Sequence, residues 1–117
     1  MGTLTVRGLV RLIQVEVRDT TDLPPNRAVE LLTKLSALLG NCNDEIREAD
    51  AEYAVVLLAL LDSEEAASRA KIRAETTPAY QRKREARDTK ELAVELARDL
   101  KYFVRSKSKE LQLSRHM

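Results

Sequence analysis

Between Ala28 and Ala74, positions taken alternately four and three residues apart are apolar with one exception. They are Ala28, Leu32, Leu35, Leu39, Cys42, Ile46, Ala49, Tyr53, Val56, Leu60, Ala67, Ala70 and Ala74, interrupted only by Ser63. A repeat of 3.5 residues held this long is the signature of a helix that lays one seam against other helices. Unbroken, such a helix would reach roughly 70 Å at 1.5 Å per residue.

Gly40-Asn41 is the weak point of the run, because Gly followed by Asn often closes a helix and Asn43-Asp44 could cap another. The apolar register nevertheless stays in phase across it, and Gly costs only about 1 kcal/mol against Ala in a helix interior. A continuous helix over about 25–75, with a possible kink at 40–43, is therefore expected. Further along, Tyr53 to Leu61 reads YAVVLLALL, apolar all round. A helix without a polar face is buried on every side. So few other elements exist in 117 residues that cover from other subunits is expected, and Leu35, Leu39, Ile46, Tyr53, Val56 and Leu60 are the candidate oligomer seam.

Two shorter patterns flank this stretch. Thr5 can cap a first helix, about 5–18, whose Val6, Leu9, Val10, Ile13 and Val17 share a face. Asp19 to Pro25 reads as a loop, since Pro24-Pro25 cannot continue a helix, and Pro25 suits the first turn of the next one. At the other end, Thr77 followed by Pro78 is a helix start signal. A last helix over about 78–113 follows, with Ala86, Thr89, Ala93, Leu96, Leu100 and Phe103 on one side, and the residues from Ser114 onward are expected to fray. The break at 75–78 predicts that this helix folds back. The chain is thus expected to be a single all-α domain, 1–117: one short helix, then two long helices in an antiparallel coiled-coil-like hairpin that oligomerises.

Catalysis finds little footing in these residues. The only His is next to last and the only Cys falls in the apolar seam, where it serves as a small hydrophobe. No Gly-rich phosphate loop, metal-ligand spacing or Ser-His-Asp set occurs, so neither enzyme activity, cofactor nor metal is expected. No run approaches the ~20 apolar residues of a membrane span, and the start lacks the h-region of a secretory signal. A cytoplasmic protein with no membrane role is the expectation.

Charge is distributed unevenly. Residues 1–68 hold six Lys/Arg against twelve Asp/Glu, net −6, and residues 69–117 hold fourteen against seven, net +7. Nucleic-acid binding by the second half would explain this, and so would an acidic helix packed on a basic one. Three basic groups are candidates for phosphate contact: Arg69, Lys71 and Arg73; Arg82, Lys83 and Arg84 with Arg87; and Lys101, Arg105 and Lys109 with Lys107. Tyr80 and Tyr102-Phe103 are the aromatics nearby. They are too few for base stacking to dominate, so any binding should be electrostatic and indifferent to sequence.

The order of elements, with Asp19-Thr20-Thr21 in the loop, Glu52 and its neighbours in the long helix, Lys71-Ile72-Arg73 at its end, and Arg105-Ser106 with Lys109 in the last, resembles phage recombination mediators of the UvsY type. That resemblance implies a ring-forming helical oligomer in the host cytoplasm that binds single-stranded DNA. It also implies a recombinase partner, loaded onto strands covered by single-strand-binding protein. The Lys-x-Arg element of the family contacts DNA, a role the resemblance carries to Lys71 and Arg73. Where the family has paired aromatics just after it, this chain has Ala74, Glu75, Thr76 and Thr77, which implies phosphate contact without stacking. The alternative is a coiled-coil adaptor or inhibitor of phage type that binds proteins and has no nucleic-acid role.

Overall fold

The computed structural model describes residues 5–63 and 66–116, and all of their regular structure is helical. Four helices follow in order: α1 (Val6–Asp19), α2 (Pro25–Ser63), α3 (Ala67–Ala74) and α4 (Pro78–His116). Thr5 caps α1 through its hydroxyl, which accepts from the Gly8 N–H at 3.0 Å. This satisfies one of the amides that a helix start leaves without a partner. Pro25 opens α2 and Pro78 opens α4, where the missing N–H costs nothing. Before Pro78, the Thr77 hydroxyl donates to the Ala74 carbonyl at 2.6 Å and accepts from the Tyr80 N–H at 3.4 Å, so one side chain ties the end of α3 to the start of α4.

α2 runs without interruption through Gly40 and Asn41. It does not continue to residue 75. The helix stops at Ser63, whose hydroxyl donates back to the Leu60 carbonyl, and Ala66 is extended (φ −117°, ψ 127°) before α3 begins. The reversal thus falls at the single seam position that is not apolar, and the expected hairpin turn at 75–78 is instead a short break within the returning arm. α4 also extends past Leu113 to His116, so Ser114 onward is helical where fraying was expected. Met117 lies outside the described residues.

Direction follows from side-chain partners. Tyr80 meets Tyr53, with ring centroids 5.6 Å apart, Arg82 reaches Glu45 to Glu52, and Ala93 to Leu100 share a core with Leu31 to Cys42. Rising numbers in α4 meet falling numbers in α2, so the two long helices are antiparallel. α1 completes a three-helix bundle at one end, placing Val10 and Ile13 beside Leu31, Leu35, Leu38, Leu96 and Leu100, with Leu23 of the 20–24 loop closing the bottom. The molecule extends 75 × 32 × 21 Å.

The buried residues of α2 are Ala28, Leu31, Leu35, Leu38, Cys42, Ala49 and Tyr53. The heptad spacing is as expected, but Leu31 and Leu38 take the places assigned to Leu32 and Leu39. The cause is α1, whose Leu9, Leu12 and Ile13 lie alongside Leu31, Ala37 and Leu38 and draw the core toward that side. Of the expected oligomer seam, Leu35 and Tyr53 are buried within the chain's own hairpin and Leu39 lies against its core. Ile46, Val56 and Leu60 are half-buried. α3 folds back on the YAVVLLALL segment through buried Ala70 and Ala74, yet Val55 and Leu58 remain 68% and 62% exposed.

Candidate nucleic-acid interface

The candidate basic residues lie in three regions of two helices, α3 and the two halves of α4, and the fold treats each differently. On α3, the docking face is Ala70 and Ala74, which places Arg69 and Arg73 on one flank and Lys71 on the other, at 100° per residue. All three are exposed, with Ile72 between them facing outward at 65% exposure. Because the chain reverses before α3, this group and the 82–84 group succeed one another along one arm. A fold-back at 75–78 would have brought the two clusters together at one end of the hairpin, and the reversal after Ser63 does not.

At the start of α4 the cations are turned inward. Arg82 donates to Glu45 at 2.8 Å through Nε and at 3.0 Å through Nη2, and it reaches Glu52 and Glu48 as well. A planar guanidinium suits this bidentate grip on a carboxylate. These hydrogen bonds raise the Arg82 pKa further above its ordinary value, with Glu45 the leading cause and Glu52 the second. Lys83 places its ammonium 4.5 Å from the Tyr53 ring centre, and Arg87 holds Asp50 at 2.8 Å. Arg84 points outward, and Arg87 stays exposed beside its carboxylate partner. Part of the charge asymmetry between the halves is therefore an internal match of acidic α2 to basic α4.

The second half of α4 behaves otherwise. Arg98, Lys101, Tyr102, Arg105 and Lys109 are exposed and fall within about 100° of arc on one face of the helix. Among the described residues no ion pair engages Arg98, Lys101, Arg105 or Lys109. Tyr102, 74% exposed, lies at one edge of this arc, between Lys101 and Arg105 along the helix. Lys107 lies off this stripe, over the Phe103 ring at 5.7 Å and beside Glu110 at 3.4 Å. Arg98 was not among the sequence candidates. Its signal was the spacing 98, 101, 105, 109, which keeps one side of a helix positive for about 16 Å.

No family model, curated protein or solved structure matches this chain. Among the described residues no group of three His, Cys, Asp or Glu side chains could hold a metal ion, and no helix is long and apolar enough to cross a membrane. Cys42 is 1% exposed, and burial pushes its thiol pKa up, which suits a packing residue.

Proposed function

We propose that this chain is an oligomeric helical protein that binds single-stranded DNA through phosphate contacts. The observation that carries this reading is the outward basic stripe of α4, Arg98, Lys101, Arg105 and Lys109, with Tyr102 at its edge as a stacking surface. A cationic track with an aromatic platform is the chemistry that holds single strands without reading sequence. Arg69, Lys71 and Arg73 on α3 form a second basic patch at the other end of the arm, separated from the stripe by exposed Glu91 and Glu95. Arg82 and Lys83, engaged with α2 and Tyr53, contribute little, whereas Arg84 can join the outer surface. A role in loading a recombinase onto strands covered by single-strand-binding protein follows from the resemblance to phage recombination mediators.

The test is anisotropy of fluorescent oligo-dT across a salt series. Each phosphate contact contributes about 0.7 to the log–log salt slope on single strands. Lys101→Ala/Arg105→Ala/Lys109→Ala should therefore flatten the slope by about 2.1, and Lys71→Ala/Arg73→Ala by about 1.4, with helicity unchanged. A second reading is favoured by the internal pairing of Arg82 with Glu45, Glu48 and Glu52, which explains part of the charge asymmetry without any polyanion. If the parent protein binds no oligo-dT even at low salt, the protein-binding adaptor is the function.

A further inference from the structure

α2 carries a second stripe that its own chain leaves uncovered. Arg47, Ala51, Ala54, Val55, Leu58 and Asp62 are all exposed and lie within about 100° of arc, over a length of about 22 Å. α1 does not reach them, since its first turn stands beside Cys42. Below the stripe the same face is polar, with Asp44 and Arg47; above Arg47 it is apolar until Asp62.

The order of these residues fits an antiparallel copy of itself. About a point midway between Ala54 and Val55, a two-fold axis sets Ala54 against Val55, Ala51 against Leu58 and Arg47 against Asp62, twice each. Every small side chain then meets a larger one, as close helix packing requires, and both ends close on opposite charges. A parallel pairing would instead stack Leu58 on Leu58, Arg47 on Arg47 and Asp62 on Asp62. Arg47 is available for this: its pairing within the helix, to Asp44, is 3.4 Å long, and its side chain is 78% exposed. Such a pair contributes little hold.

We infer that a second copy of this chain docks antiparallel on the 47–62 face of α2, as an isologous two-fold contact. The inference deepens the oligomeric part of the proposed function and rests on that part alone. Only a few apolar side chains per copy are covered, so the contact belongs to the small, reversible class of interfaces, with a micromolar dissociation constant.

Sedimentation velocity across the micromolar range should find a monomer–dimer equilibrium. Arg47→Glu and Asp62→Arg, each placing like charges together twice, should each weaken it by about tenfold, and the double variant should restore it. In a Cys42→Ala background, Ala54→Cys should cross-link under mild oxidation because its mate lies one residue along the axis. Leu58→Cys should not, its mate being seven residues away. A monomer at every concentration, a double variant no better than the singles, or cross-linking of Leu58→Cys as fast as Ala54→Cys would overturn the inference. Oligo-dT binding is scored separately on the same proteins: a dimer of this geometry that binds no DNA keeps the contact and loses the nucleic-acid reading.

Discussion

Arg82→Ala removes the group on which three carboxylates converge. Its guanidinium holds Glu45 through two nitrogens and touches Glu48 and Glu52, with side-chain exposures of 37% for Arg82 and 34%, 69% and 46% for the acids. Partly exposed pairs of this kind contribute about 0.3–1 kcal/mol each. They share one cation, so their sum is not additive, and about 1–2 kcal/mol is the expected loss. For a chain of this size that lowers the melting temperature by about 4–8 °C. The assay is thermal unfolding followed by circular dichroism at low and high salt, with Arg84→Ala as the exposed neighbour. The loss should shrink in high salt, because the three acids left facing one another are then screened, and Arg84→Ala should move the midpoint little. A shift below about 1 °C, equal shifts for both variants, or a loss indifferent to salt would refute the clamp.

Four further expectations follow from the packing and the titration of single groups. Leu35→Ala, at a fully buried core position, should cost about 2–5 kcal/mol in urea unfolding. Gly40→Ala should stabilise by about 0.5–1 kcal/mol in the same assay, because an added Cβ there meets nothing within 4 Å and the residue lies inside a helix. Cys42 should react with iodoacetamide far more slowly in the native protein than in urea, and Cys42→Ser should lower the melting temperature while leaving oligo-dT binding intact. The Arg27 hydrogen bonds hold the Glu16 carboxyl below its usual range; its stabilising contribution is thus complete above the unfolded-state value and lost as pH falls through the lower folded value. Glu16→Gln should accordingly flatten the fall in stability of the native protein between about pH 5 and pH 3.

The helical architecture and its start signals were legible because they rest on local chemistry: Thr5, Pro25 and Thr77-Pro78 act on the backbone within a turn of themselves. The choice between Leu31 and Leu32, or Leu38 and Leu39, was not legible from periodicity. Both members of each pair are leucine, and the decision belongs to α1, which approaches from one side. Ser63 did mark the end of α2, but a lone Ser in a seam costs too little to announce a reversal by itself. The basic clusters were found as composition. Which of them pair internally depended on the antiparallel register, which sets Arg82 against Glu45 and leaves Arg98 to Lys109 past the acidic part of α2.

The arm that returns along α2 is fastened unevenly. α4 is anchored by Leu96, Leu100 and the Arg82 carboxylates, whereas α3 is held through two alanines. Burying a methyl group contributes only about 0.8 kcal/mol, so an eight-residue helix docked this way is the first part of the molecule to come away on its own. Local opening of α3 would leave the three-helix end of the molecule closed, because none of the core of α1, α2 and α4 lies on it. Amide protons of residues 67–74 should then exchange orders of magnitude faster than those of 28–42, on a timescale set by this local opening and not by global unfolding.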